Sequence, residues 1–333
     1  LIRADHDITL SLDNLTVGYF KGKSINRVIE NIHLKAYSGE LICFMGPNGV
    51  GKSTLLRTVC SLQKPIEGNI NIRETNLNDI SPSQLAKEIS LVLTEQINAG
   101  NLNAYELVAL GRYPYLGWNI KINTEDQQII DRSIAQTGIE KFVHKKVFEL
   151  SDGQLQKVMI ARALAQDTPI LILDEPTAHL DLNNRVAIVN LLKDLAKDAN
   201  KTIIMATHEL DLALQTADKL WLAGEKQPIR EDIPEDLVLN GAIDEVFKLK
   251  GYDLKTGTLE KKSLGYKVHL MGDGHNFLWT KNALERNGFD LDENAEIRIE
   301  IKNGGNLSWH LKNEDTTHDT LNDLIIHLIK LFQ

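Results

Sequence analysis

The sequence is poor in cysteine: Cys43 and Cys60 are the only two in 333 residues, and neither stands at the spacing of a zinc or redox motif. Both are expected as apolar filler in a reducing compartment. No stretch approaches the roughly 20 consecutive apolar residues that a membrane helix needs. The first residues, "LIRADHDITL", carry acidic side chains where a secretory signal has an apolar core. Nor is there a basic excess. The formal net charge is -9, opposite in sign to surfaces that bind nucleic-acid phosphates, so no nucleic-acid partner is expected. Internal repeats, low-complexity segments and sustained heptads are missing as well, so no long coiled coil is expected. What is present, 42% hydrophobic and 25% charged, is the composition of a globular chain long enough for one large domain or two unequal ones.

From Ile8 to Val17 apolar and polar residues alternate, the period of a half-buried strand. "NIHLKAYSGELICFMG" reads as a hairpin turning at Ser38 and Gly39, whose second strand, "LICFM", runs into a glycine-rich loop. The segment after that loop, "KSTLLRTVCSLQ", has Leu55, Leu56, Val59 and Leu62 at helical spacing. Residues 97–165 read as an inserted helical lobe, with Thr124 as the N-cap of one helix. "PILILDEP" and "TIIMATHE" are short continuous apolar runs, as expected of strands buried on both faces of a parallel sheet. Residues 251–264 read as a linker. Beyond them the pattern predicts strand, helix, strand, strand, helix over 265–333, with Ile297, Ile299, Ile301, Leu307, Trp309 and Leu311 facing a small core.

The loop "GPNGVGKST" spans Gly46, Pro47, Asn48, Gly49, Val50, Gly51, Lys52, Ser53 and Thr54 and satisfies the pattern G-x-x-x-x-G-K-[ST]. Its glycines let successive backbone N–H groups point at a phosphate, the Lys52 ammonium reaches the terminal phosphates, and the Ser53 hydroxyl is placed to ligate Mg²⁺. A helix starting at Lys52 adds the positive end of its dipole. "ILILDE" supplies the complementary half. A buried strand delivers Asp174, suited to hold Mg²⁺, and beside it Glu175, suited to act as base on an attacking water. ATP and Mg²⁺ are the implied cofactors.

Between these motifs lies "LSDGQ", Leu150 to Gln154, just before a predicted helix. It resembles the LSGGQ signature of ABC-type ATPases, and phosphate loop, signature and acidic strand follow in that family's order. The resemblance covers about residues 8 to 250. It implies an α/β P-loop NTPase with a RecA-like parallel core, an antiparallel β subdomain and a helical lobe, here followed by a small C-terminal α+β domain. It further implies Tyr19 as the aromatic that stacks on adenine and Gln96 as the Q-loop glutamine, catalytic and a ligand of Mg²⁺. Ser151, Gly153 and Gln154 become the signature contacts, Asp181 in "AHLD" the D-loop aspartate, and His208 the switch histidine. Each also has a structural alternative: Tyr19 as a core aromatic, Gln96 as an exposed polar residue, His208 as a strand-end histidine. The family consensus has glycine where this chain has Asp152, whose carboxylate is expected to point away from the γ-phosphate.

In that family two copies close on two ATP molecules, so the implied first partner is a second copy of this chain. With one cassette, no membrane span and no coiled coil, the chain resembles a separate ATPase subunit of an importer. Its multi-span membrane permease is expected to dock near Asn103 to Trp118, and a periplasmic or surface solute-binding protein takes part indirectly. That places the chain at the cytoplasmic face of the cell membrane. "ELVALGRYPYLGW" resembles the metal-chelate importers, with a ferric siderophore placed ahead of cobalamin or haem. The C-terminal domain is expected to regulate or to stabilise the dimer. A reading from another class is a nucleotide-gated switch that clamps a non-membrane partner.

Overall fold

A computed structural model of the chain describes residues 7–22, 24–93, 100–117, 120–178, 180–249, 251–254, 258–259, 263–302 and 307–332. Two compact units are present, one ending at Lys248 and the other beginning at Leu249.

The first unit opens with two long strands, β1 (Ile8–Lys21) and β2 (Ser24–Tyr37), followed by β3 (Leu41–Met45) and helix α1 (Lys52–Val59). Next come β4 (Glu67–Ile72), β5 (Thr75–Asn76), α2 (Pro82–Glu88) and β6 (Ile89–Val92). The helical lobe contributes α3 (Ala104–Ala109), α4 (Thr124–Thr137) and α5 (Asp152–Ala165). The chain then returns through β7 (Ile170–Asp174), α6 (Leu182–Asp198), β8 (Thr202–Ala206), α7 (Leu210–Thr216), β9 (Lys219–Leu222) and β10 (Arg230–Asp232), and finishes with α8 (Pro234–Leu239) and α9 (Ala242–Phe247).

Burial sorts the strands into two sheets. In β3, β7 and β8 every residue is buried, which requires protein on both faces and suits a parallel sheet. These strands form the centre of a six-stranded sheet ordered β10-β9-β3-β8-β7-β6, parallel except for the β10 edge. The alternating strand β2 instead pairs with β1 in an antiparallel sheet ordered β2-β1-β4-β5. The turn at Ser38 and Gly39 therefore joins two sheets and closes no hairpin: an all-apolar β3 beside β2 would leave one face in water. One continuous core, including Leu10, Leu34, Phe44, Leu55, Ile172 and Trp221, packs the antiparallel sheet and α1 against the parallel one.

Helix α4 begins one residue earlier than the sequence suggests. Asn123, in place of Thr124, is its N-cap, accepting from the Asp126 amide in a reciprocal capping box. Cys43 lies fully buried in β3, and burial pushes its thiol pKa up to about 12, which leaves it inert as filler.

The second unit starts with a short antiparallel pair, β11 (Tyr252–Asp253) and β12 (Thr258–Leu259), inside the stretch read as linker. It continues with β13 (Tyr266–Met271), α10 (Gly274–Arg286), β14 (Phe289–Leu291), β15 (Ile297–Lys302), β16 (Ser308–Leu311), β17 (Thr316–His318) and α11 (Leu321–Phe332). The sheet order is β14-β13-β15-β16-β17. Strands β14 and β17 escape the sequence pattern because three residues carry too little alternation to register. Ile299, Ile301, Trp309 and Leu311 are buried in this unit's core and Ile297 packs against it, whereas Leu307, just before β16, is exposed.

Candidate active site

The parallel sheet brings three loops to one end. Strand β3 delivers Gly46, whose backbone lies so close to the neighbouring chain that an added Cβ would sit 2.4 Å from the Ala223 carbonyl. Gly51, at φ 114°, turns the chain into α1. Between them Pro47 accepts from the Val50 amide, and Asn48 and Gly49 are exposed. The Lys52 ammonium folds back to donate to the Gly46 carbonyl at 2.8 Å and the Pro47 carbonyl at 3.4 Å. Burial lowers its pKa, while the charges of Glu175 and Asp174 pull it back up. A desolvated ammonium held by two carbonyl oxygens is poised for an anion.

Ser53 opens α1 and donates its hydroxyl to Asp174 Oδ1 at 3.2 Å. Asp174 ends β7 where the sheet buries it, and desolvation raises its pKa despite the Ser53 hydrogen bond. Such a carboxylate favours a cation, and a hydroxyl–carboxylate pair of hard oxygens suits Mg²⁺. Thr54, next in the helix, shares a hydrogen bond of 2.8 Å with the Tyr19 hydroxyl, which anchors that ring beside the loop with 49% of the residue exposed. An anchored ring with a free face is a stacking platform.

Glu175 follows Asp174 in the left-handed region, at φ 51°. A non-glycine residue is held there at a cost of about 1–3 kcal/mol, a conformation that concentrates at functional sites. Its amide donates to the Ala206 carbonyl at 3.0 Å, and its carboxylate meets His208 Nε2 at 2.6 Å. His208 follows β8, the neighbour of β7. A carboxylate and an imidazole thus meet within hydrogen-bond distance, directly after Asp174 of the Ser53–Asp174 pair.

Ser151 and Gln154 form a reciprocal capping box on α5. The Ser151 hydroxyl accepts from the Gln154 amide at 3.4 Å, and the Gln154 side chain accepts from the Ser151 amide at 3.2 Å. Asp152 is exposed in the first turn of that helix and Gly153 is buried. Asp181 caps α6, accepting from the Asn184 amide at 2.9 Å and the Asn184 side chain at 2.8 Å, bonds that lower its pKa. Gln96 and Trp118 lie outside the described residues.

Two features bear on docking, the first in a run that reads from sequence either as a docking surface or as lobe core. Within "NAYELVALGRYPYLGW" the residues Ala104, Leu107, Val108 and Arg112 are buried, while Leu110 and Tyr113 are exposed. Arg112 pairs with buried Asp126 at 2.9 Å, donates to the Ala165 carbonyl at 3.0 Å and stacks on Tyr115. Half of this run therefore clamps the lobe together. The second feature is an apolar groove of about 550 Å³ between α1, α2, β6 and α5, lined among others by Leu62, Leu85, Leu91, Leu93 and Arg162. Its walls come from segments far apart in sequence, so no local pattern announces it. A larger cavity of about 660 Å³ flanks the outer side of the phosphate loop at Gly49 and Val50, and Lys52, Ser53 and Asp174 do not line it.

Comparison with known proteins fits this geometry. Residues 29–178 match the family model described as ABC transporter, and residues 265–329 match that of the iron ABC transporter C-terminal domain. Residues 144–214, inside the same ATPase core, also match an AAA-domain model described as a putative AbiEii toxin of a type IV TA system. An uncharacterised ABC transporter ATP-binding protein of Methanocaldococcus jannaschii is 37% identical over 85% of this chain and 98% of its own. The petrobactin import ATP-binding protein FpuD of Bacillus anthracis is 34% identical over 72% of this chain and 87% of its own. Among solved structures, a dimeric post-hydrolysis ATP-binding cassette bound to ADP and Pi superposes with TM-score 0.59 at 32% identity, covering 68% of this chain and 98% of that one. A transporter assigned to the metal-chelate type, in an inward-facing conformation, gives TM-score 0.63 at 25% identity over 73% of this chain and 90% of that one. With a phosphate loop, an acidic strand end and a helix-capping signature in one cassette, and relatives matched over nearly their whole length, the chain belongs to the ATP-binding proteins of ABC transporters.

Proposed function

We propose that the chain hydrolyses Mg-ATP as a pair of copies and drives import of a metal chelate, a ferric siderophore foremost, through a separate membrane permease. The observation that carries the catalytic part is the adjacency of two pairs at one sheet end: Ser53 with Asp174, and Glu175 with His208. Ser53 and Asp174 would hold Mg²⁺, which would supply neutralising charge to the phosphate oxygens. The loop amides and Lys52 orient the terminal phosphates, and Tyr19 stacks on the base. Glu175 takes the proton of the attacking water, and His208, bonded to its carboxylate, fixes that carboxylate's direction. By the family resemblance Gln96 would be a further ligand of Mg²⁺, and Ser151, Gly153, Gln154 and Asp181 would complete the site from the second copy. Capping leaves the α5 N-terminus with amide groups suited to a γ-phosphate.

The chelate reading rests on the petrobactin import protein among the relatives and on the metal-chelate type transporter among the structures. For permease docking the apolar groove at Leu85 and Leu91 joins exposed Leu110 and Tyr113 as the receiving surface. The second unit regulates turnover or stabilises the dimer, which its separate core supports. Reconstitution with permease and binding protein tests the whole reading: ATP-dependent uptake of a ferric siderophore is expected, and uptake of cobalamin alone would reassign the solute. Removal of residues 255–333 tests the second unit. A change in chelate-stimulated ATPase or in dimerisation is expected, and wild-type behaviour in both would refute that role.

A further inference from the structure

We propose that Arg185 is a positioning residue for hydrolysis, tying the loop before α6 to the segment that carries His208. The proposal rests on the ATPase reading above for its kinetic consequence only. Arg185 lies in the first turn of α6, where its amide donates to the Asp181 carbonyl. Its Nε donates to the Leu180 carbonyl at 2.6 Å. Its Nη1 reaches both carboxylate oxygens of Glu209, Oε1 at 2.9 Å and Oε2 at 3.0 Å. Glu209 directly follows His208.

Backbone hydrogen bonds tie Glu209 and Leu180 to the acid–imidazole pair. On one side the Glu209 amide donates to the Thr207 hydroxyl at 3.0 Å, and the Leu210 amide to the His208 carbonyl at 3.0 Å. A displacement of Glu209 is therefore passed to His208. On the other side the Ala178 amide donates to the Glu175 carbonyl at 3.1 Å, and the Leu180 amide to the Thr177 carbonyl at 3.3 Å. A displacement of Leu180 is passed back to Glu175. With the Glu175–His208 contact of 2.6 Å the circuit closes: Glu175, His208, Glu209, Arg185, Leu180, Thr177, its chain neighbour Ala178 and again Glu175. Arg185 joins the loop that ends at Asp181 to the acid–imidazole pair. Movement at Asp181, imposed by the second copy, thereby resets the direction of the Glu175 carboxylate.

A planar guanidinium can hold a carbonyl and a carboxylate at once, which an ammonium on a flexible stem cannot do with the same geometry. Both Arg185 and Glu209 are partly exposed, at 34% and 28% of their side chains, and pairs of this kind add little to stability. The main loss on breaking the pair is in orientation.

The test uses the full chain carrying Arg185→Gln, Arg185→Lys, Glu209→Gln, or Arg185→Gln with Glu209→Gln. In steady-state ATPase assays kcat is expected to fall on the order of tenfold to a hundredfold in Arg185→Gln, with KM for ATP and the melting temperature unchanged. Arg185→Lys is expected to recover part of the loss, and the double variant to be no slower than the worse single one. A wild-type kcat in Arg185→Gln or in Glu209→Gln, or losses that multiply independently in the double variant, overturns the proposal. A second readout needs no turnover. The imidazole resonances of His208, assigned by comparison with His208→Asn, are expected to shift in nucleotide-free Arg185→Gln, and unchanged resonances overturn the proposal. If the wild-type chain shows no ATPase at all, the hydrolase reading fails while the imidazole resonances still decide whether Arg185 positions His208.

Discussion

Asp174 pays a desolvation cost in the folded chain for being ready to hold a cation. Because burial raises its pKa, the folded state binds more protons than the unfolded one between the ordinary carboxylate pKa and the raised value. Stability therefore falls as pH rises through that window and stays reduced at neutral pH. Asp174→Asn keeps an acceptor for the Ser53 hydroxyl and removes the buried charge. Its melting temperature without nucleotide is expected to exceed that of the wild type at pH 7, and the difference to close as pH falls through the carboxylate range. Mg²⁺-dependent turnover is expected to vanish in the same variant. A lower melting temperature at pH 7, measured by calorimetry, would contradict the burial argument. The two carboxylates beside each other thus differ in purpose: Asp174 is desolvated at the end of β7, whereas Glu175 is bent out of it at φ 51° to meet His208.

The lobe and the C-terminal sheet show where helix and strand boundaries are decided. Arg112 and Asp126 are 5% and 4% exposed at the side chain and bind each other at 2.9 Å. Arg112→Ala leaves Asp126 buried without its cation and is expected to cost about 3–5 kcal/mol in urea unfolding, against less than 1 kcal/mol for an exposed pair. In the second unit the indole Nε1 of Trp309 donates to the buried Thr280 hydroxyl at 2.8 Å. Trp309→Phe keeps an aromatic ring in the core, though a smaller one, and strands that hydroxyl, for an expected loss of at least about 1–3 kcal/mol. Neither pair was legible in the sequence, because each joins residues from different elements. The elements themselves were largely legible. Uninterrupted apolar runs identified β3, β7 and β8, and the phosphate loop could be placed between β3 and α1 from its flanks alone. Pairing was not: "NIHLKAY" and "LICFM" are adjacent in sequence, yet β2 and β3 enter different sheets, since each pairs where its buried faces find cover.

In the proposed reading the molecule joins a nucleotide site to a docking surface for a permease. Lys52, Ser53, Asp174, Glu175 and His208 could be named from motifs because the chemistry fixes their residue types and their order. The receiving groove could not, since Leu62, Leu85, Leu91 and Leu93 converge only after α1, α2 and β6 have packed. Leu85→Glu puts a charge in that groove and is expected to lower chelate uptake in the reconstituted transporter by about tenfold or more through weakened permease docking. Unchanged uptake would move the docking surface elsewhere. The proposed composite site makes a sharper demand, because in that reading Ser151 and Asp181 act from another copy. The most direct measurement is of Glu175→Gln with saturating Mg-ATP, following phosphate release and particle mass together. The account predicts loss of turnover with a persistent particle of two chains that dissociates when ATP is withdrawn. Wild-type turnover, or a single-chain particle at saturating ATP, would contradict it.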